Sequence, residues 1–330
     1  MNRDAEAGPL AFNTARMTWP DLPDDARERV AALAGADVVT AHGTSTGFSP
    51  GFAGGVHLAD GRRVFVKATS EVLHPWSVEF ARAEILANAV LPESLPAPRL
   101  LWSNDGPWTL AGFEFIDGGS PALPRRAHDL NKVLNALTNL AAAEPLPGHH
   151  LRPIAEAHAD MFSMWAEFGA LPHRERHAAA LRGGPWGEWA MRHLDALVGW
   201  ESEAAAVCAG DSLVHGDLRA DNVVLDAHER VWMVDWPHVS TGAPWLDLAF
   251  LLPSVAMQGG GEAHEHFRSH ALGALVSYRE IRAMVTVITG YFMLNSWQDT
   301  PEHIPTLRAF QAGQALSAAR WLQALEPSLD

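Results

Sequence analysis

Apolar residues recur along this chain in two rhythms, and each rhythm predicts its own kind of element. In the stretch 24–34, Ala26, Val30, Ala31 and Leu33 face one way while Arg27 and Arg29 face the other. That 3.6-residue period predicts an amphipathic helix. Shorter apolar runs follow at 56–59, 63–68, 99–102 and 108–116, each bounded by turn residues, and these read as strands. Asp60-Gly61 joins the first two as a hairpin. Residues 76–90 read as a helix that Pro92, Pro96 and Pro98 bring to an end. Asp117-Gly118-Gly119-Ser120-Pro121 then breaks the pattern. Beyond it helical spacing dominates, at about 127–143, 150–168, 174–181, 187–209, 244–256, 263–294 in pieces, and 304–325. Short strands between 213 and 235 interrupt that run. The expected class is α+β, with a strand-rich front and a mainly helical rear. The expected division is a loose arm over 1–20, a first lobe over 21–117 and a second over 118–330.

Composition narrows this picture. A chain of 330 residues has the length for two lobes and a large core. A formal net charge of −15 argues against nucleic-acid binding, which would need a basic patch. The single cysteine, Cys208, excludes an intrachain disulfide and reads as a buried structural thiol. The N-terminal stretch has early charges and no long apolar core, unlike a secretory signal. Arg282, Thr286, Thr289, Gly290 and Asn295 interrupt the apolar stretch 281–297, so it reads as a buried helix and not a membrane span. The expectation is a cytoplasmic enzyme, in the compartment where ATP is available. Of the 17 histidines, the pairs His149-His150 and His264/His266 lack a recognised zinc spacing.

The most specific chemistry lies in Leu213-Val214-His215-Gly216-Asp217-Leu218-Arg219-Ala220-Asp221-Asn222-Val223, followed by Val231-Trp232-Met233-Val234-Asp235-Trp236. Apolar strands bracket Asp217, Asn222 and Asp235, and rigid strands hold reactive loops in place. Asp217 can take a proton from a hydroxyl, while Asn222 and Asp235 offer oxygens that suit Mg²⁺. One base and two metal oxygens are the minimum for moving a phosphoryl group from ATP to an alcohol. The plain alternative is that Asp217, Asp221 and Asn222 cap turns.

His-x-Asp-x-x-x-x-Asn, followed by an apolar strand ending in Asp, resembles the core of the aminoglycoside phosphotransferase family, relatives of the protein kinases. The resemblance implies a bilobal protein-kinase-like fold, with an N-terminal antiparallel-sheet lobe and a mainly helical C-terminal lobe. It makes Asp217 the base and Asn222 and Asp235 the magnesium ligands. Lys67, in Val-Phe-Val-Lys-Ala, becomes the phosphate-binding cation and Glu84 its partner, with Glu79 as second choice; an edge-strand lysine is the alternative. Asp247 is implied to brace the catalytic loop, with His215 as scaffold.

Before Lys67 runs a stretch with glycines at 43, 47, 51, 54 and 55, which would cover the phosphates with Ser49 and Gly51 among the contacts, Ser45 beside them. It could equally be a flexible hairpin tip. Glu114 and Ile116 fall where the resemblance puts the segment that meets the purine edge, with Val66 and Leu225 as candidates for its faces. Arg219 could help neutralise the transferring phosphoryl group or simply be a surface charge. Gly216, where protein kinases carry arginine, and the short span from Asp235 to Asp247 favour a small-molecule kinase. ATP is the expected donor, with GTP open, Mg²⁺ the metal and a small-molecule alcohol the acceptor. Trp236 is the leading candidate for an acceptor wall, ahead of Trp165, Trp189 and Trp245. A silent nucleotide-binding scaffold of the same fold is the rival reading.

Overall fold

The structure, a computed structural model, describes residues 16–44, 47, 50–121, 127–145, 150–302 and 304–329. Its N-terminal part is a five-stranded antiparallel sheet in the order β1-β2-β3-β5-β4. The strands are β1 (Val38–Gly43), β2 (Phe52–Leu58), β3 (Arg63–Thr69), β4 (Leu100–Asn104) and β5 (Thr109–Glu114). Two helices accompany it, α1 (Asp24–Ala34) and α2 (Pro75–Ala87). Asp24 and Asp25 sit in the first turn of α1, and Gly35 ends it in the left-handed region at φ 74°.

Alternation along β3 decides what the sheet presents to each side. Val64, Val66 and Ala68 are buried together with Val30 and Ala34 of α1, Phe52, Val56 and Leu110. Phe65 and Lys67 therefore face away from α1, toward α2 and the second lobe. Val66, expected against a purine, instead fills the core under α1; Phe65 shares the Lys67 face.

The C-terminal part is mainly helical. Its helices are α3 (Ala127–Ala141), α4 (Ile154–Ala157), α5 (Met164–Ala170), α6 (His173–Arg182), α7 (Pro185–Val207), α8 (Leu246–Met257), α9 (Ala263–Ser269), α10 (Ala271–Ala274), α11 (Tyr278–Ser296) and α12 (Leu307–Leu325). Five short strands complete it: β6 (Gly118–Gly119), β7 (Ser212–Val214), β8 (Val223–Asp226), β9 (Val231–Met233) and β10 (Ser240–Gly242). They form a β6-β8-β9 sheet and a β10-β7 pair. Helix α8 is apolar nearly all round and is buried from Leu246 to Val255, as such a helix must be. None of the helices, among the described residues, is long and apolar enough to cross a membrane.

The departures from expectation have physical causes. β1 and β10 were not expected: β1 has a half-exposed pattern with no apolar run and is completed by the next strand, β2, while the three-residue β10 pairs with β7, far back in sequence. Three glycines of the run are sheet, Gly43 at the end of β1 and two in β2. Gly54 and Gly55 lie inside β2, where a Cβ on the first would strike the His42 carbonyl and on the second the Phe115 ring. The helix expected over 150–168 is broken into α4, a turn at Met161–Ser163, and α5. The Glu201 carboxylate on α7 explains the restart, because it accepts the N–H groups of Trp165 (2.9 Å) and Ala166 (2.8 Å) at the head of α5. Of the expected arm, residues 1–15 lie outside the described residues. Its described part is anchored where Trp19 meets Phe52 edge-on at 5.3 Å, and just beyond the arm Leu22 is buried.

Candidate active site

Lys67 projects from β3 toward α2. Its Nζ donates to both oxygens of Glu84, at 2.9 and 2.7 Å, and to Oδ1 of Asp235, at 2.9 Å. One ammonium thus joins the sheet, α2 and the second lobe. Glu84 is buried, and burial pushes its carboxyl above the ordinary range despite Lys67. For Lys67 itself, burial is outweighed by the two carboxylates, and its pKa is raised. Glu79, the second choice, is exposed on α2 and forms no ion pair with Lys67.

Asp235 stands just past the end of β9 at φ 66°, in the left-handed region that side-chain-bearing residues seldom adopt. Such strain tends to occur where a group must be aimed, and here it points the carboxylate at Lys67. Burial alone would raise its pKa, but Lys67, Arg219 and Arg16 hold it well below the usual carboxylate range. The side chain is still 44 % exposed, so an ion from solvent can reach it.

The same backbone turn disposes of Trp236. Instead of walling a pocket, its ring is 1 % exposed, lies 4.4 Å from the His215 ring, and donates Nε1–H to the Met233 carbonyl (2.8 Å). It belongs to the core. So do Trp165, whose Nε1 donates to Thr286 O, Trp189, whose Nε1 donates to Leu329 O, and Trp245. A tryptophan's polar edge can be satisfied by a carbonyl, which removes its need for solvent or ligand.

The loop between β7 and β8 is held from below. Asp247, at the head of α8, accepts the N–H groups of His215 (2.8 Å) and Gly216 (3.1 Å). Burial pushes the Asp247 carboxyl up to about 7, against the pull of those two donors. Gly216 needs its lack of a Cβ: φ is 83°, and a Cβ would press on the His238 carbonyl. His215 faces the Val234 carbonyl through Nε2 (3.0 Å) and the Asp217 N–H through Nδ1 (3.4 Å). Those partners place its proton on Nε2, and burial pushes the ring down to about 4, so it is neutral at pH 7. Asp247→Ala would leave two buried donors without an acceptor. The expected loss is about 2–4 kcal/mol of unfolding free energy, read from urea denaturation with an unchanged slope. A loss under about 1 kcal/mol would mean that the loop is held by other contacts.

Asn222 Nδ2 donates to the Asp217 carbonyl at 2.8 Å, which leaves Oδ1 as its remaining polar atom. The Asn222 carbonyl accepts the N–H of Val234 at 2.9 Å, which ties the residue just before β8 to the segment past β9 that carries Asp235. Arg219 pairs with Asp217 and with Asp221, the latter at 3.1 Å, and its guanidinium lies 5.6 Å from the Phe310 ring centre. It is a half-sequestered part of the loop and not a plain surface charge. Of the glycine-rich segment, Ser45 and Ser49 lie outside the described residues. Gly51 is buried against β3, where a Cβ would meet the Ala68 carbonyl. The Glu114 N–H is taken by Arg99 O at 2.8 Å. Neither backbone group of Ile116 enters a backbone hydrogen bond among the described residues. Leu225 is half-buried in β8.

The Phosphotransferase enzyme family model matches residues 56–283, which takes in Lys67, Glu84, the whole β7–β9 loop and Asp247. The chain belongs to that family. Its fold is protein-kinase-like. The aminoglycoside phosphotransferase APH(4)-Ia superposes with a TM-score of 0.58 at 17 % identity, over 92 % of this chain and 99 % of that one. A ternary complex of a thermostable mutant of it, with ADP and hygromycin B, gives 0.56 at 16 % identity, over 92 % and 98 %. Choline kinase LicA from Streptococcus pneumoniae gives 0.57 at 14 % identity, over 91 % and 98 %.

Several groups around this phosphotransferase's loop carry no sequence signal. The His158 and His238 rings are 5.0 Å apart, and Phe80 of α2 meets His238 edge-on at 5.1 Å. Tyr291 of α11 is pushed up to about 12, first by burial and then by Asp217, opposed by Arg219. Asp160 acts on both His158 and Tyr291. His238 lies two residues past Trp236 and Phe80 next to Glu79, but no local pattern marks either as a site residue.

Proposed function

We propose that this chain is an ATP-dependent kinase of a small-molecule alcohol. The observation that carries the reading is the Lys67 ammonium, held between Glu84 and Asp235 across the two lobes and set beside the Asp217–Asn222 loop. In this reading Lys67 positions the nucleotide phosphates and Glu84 positions Lys67. Asp217 accepts the acceptor hydroxyl's proton as that oxygen forms its bond to the γ-phosphorus. The bond from the γ-phosphorus to the β–γ bridging oxygen breaks, and ADP leaves with its electron pair. Arg219, fixed on the base, sets a cation beside the group in transit.

The donor set fits Mg²⁺. Asp235 offers a reachable carboxylate and Asn222 an amide oxygen on the neighbouring loop, and magnesium is commonly held by one or two protein oxygens plus substrate phosphates. When bound there it would supply charge neutralisation on the phosphates. Most of the rate would come from placement and electrostatics, with no covalent enzyme intermediate. Ile116, with its backbone groups uncommitted among the described residues, would meet the purine edge together with the Glu114 carbonyl, and Phe65 and Leu225 would border the ring. Gly51 and Ser49 would belong to the cover over the phosphates. The acceptor would lie beyond Asp217, among His158, Asp160, His238 and Tyr291. That rim of rings and a carboxylate suits a compact polar alcohol.

A panel of alcohols with Mg·ATP and Mg·GTP, read by nucleoside diphosphate release, tests the reading. Acceptor-dependent release well above the water background is expected. Nucleotide binding without release on any amino alcohol, aminoglycoside or sugar would favour the silent scaffold instead.

A further inference from the structure

The strand of chain that precedes α1 brings a charge into the site which no catalytic motif contains. Arg16 is partly buried, and its guanidinium packs against Gly47 of the glycine-rich loop so closely that a Cβ there would collide with Nη2. Gly47 is at φ 85°, a conformation that itself favours glycine. The next residue ties the segment to the loop, since the Met17 N–H donates to the Pro50 carbonyl at 3.3 Å. Trp19 and Leu22 then anchor it in the core of the first lobe. From this position the Arg16 charge acts on Asp235 and Asp221.

The three cations of the site differ in how they are satisfied. Lys67 has two carboxylate partners and Arg219 has two. Arg16 forms no ion pair among the described residues, and its Nε–H is buried without an acceptor. A partly buried guanidinium whose Nε–H is unmet suits an anion, and a planar fork of N–H groups matches phosphate oxygens. The surrounding carboxylates Asp217, Asp221, Asp235 and Glu84 outnumber Lys67 and Arg219, so, beside the metal, a further cation such as Arg16 lessens the repulsion that a polyphosphate meets here.

We propose that Arg16 is an additional phosphate-binding residue of the nucleotide site, delivered beside Gly47 by the segment before α1. This rests on the kinase reading above. Through Arg16, the segment before α1 becomes part of the nucleotide site, tied to it at Gly47 and Pro50.

Calorimetric titration of the full chain with Mg·AMP-PNP and with adenosine separates the possibilities. Arg16→Ala is expected to weaken Mg·AMP-PNP binding by about 10- to 100-fold, with adenosine binding unchanged, and Arg16→Lys to recover part of the loss. Gly47→Ala, which displaces the guanidinium without removing it, should reproduce the selective loss. Equal weakening toward both ligands would make Arg16 a structural residue and overturn the proposal. Unchanged or tighter AMP-PNP binding would overturn it too, the tighter result marking Arg16 as an occluding side chain. A wild-type protein that binds no AMP-PNP would remove the kinase reading itself, a result distinct from any difference between variants.

Discussion

Asp217→Asn is expected to cut turnover at least about 100-fold, the usual scale for loss of a general base, while nucleotide affinity stays near normal. The substitution is nearly isosteric. It keeps the backbone carbonyl that anchors Asn222 and the loop geometry that Asp247 maintains. It removes only the basic oxygen and the charge that pairs with Arg219. The loss should therefore appear in kcat, with the thermal midpoint of the nucleotide-free protein little altered. Full activity in the Asn variant would mean that another group takes the proton. Asp160, which shares an electrostatic neighbourhood with Tyr291 and His158, is the next carboxylate to test.

Asp235→Asn is expected to weaken Mg·ATP binding by about 10- to 100-fold and to leave metal-free ATP binding unchanged or slightly tighter. The signs differ because the carboxylate has opposite effects on the two ligands. With magnesium present it holds the ion that bridges protein and phosphates. Without magnesium it is only a negative charge near a polyanion, and its removal also leaves Lys67 less neutralised. Asn is the appropriate replacement because it tolerates the left-handed backbone that position 235 adopts. Asp235→Ala, strained at that φ, should melt lower as well, by an amount that corresponds to roughly 1 kcal/mol. Calorimetry with and without Mg²⁺ reads both signs, and equal losses in the two buffers would contradict metal ligation by Asp235.

The elements legible in sequence were those whose evidence is local. Helix α1 was bounded correctly from its apolar period, and the β2–β3 hairpin from Asp60-Gly61. The Lys67–Glu84 pair was expected and is formed. The motif from His215 to Asp235 carries its own spacing, because a loop clamped between two short strands leaves its polar residues few directions to point.

What the chain could not disclose locally depends on partners far away in sequence. The restart at α5 needs Glu201, 36 residues from Trp165. The burial of Trp236 follows from the left-handed turn at Asp235 and from the His215 ring beneath it, so neither aromatic content nor alternation could assign it. Val66 was misplaced for a simpler reason: period-2 alternation separates it from Lys67, but only α1 packing on one face decides which side is core. Arg16 has no motif at all, and it reaches the site because Met17, Trp19 and Leu22 fasten the preceding segment to the sheet. The succession from a strand-rich front to a helical rear and the Lys67–Glu84 pairing were thus legible in sequence, since short-range spacing and turn chemistry encode the main elements and the motif resemblance supplied the fold family. Which aromatics are core, where helices break and which further cation enters the site were decided by tertiary packing, because burial and hydrogen-bond satisfaction are settled only when distant segments meet.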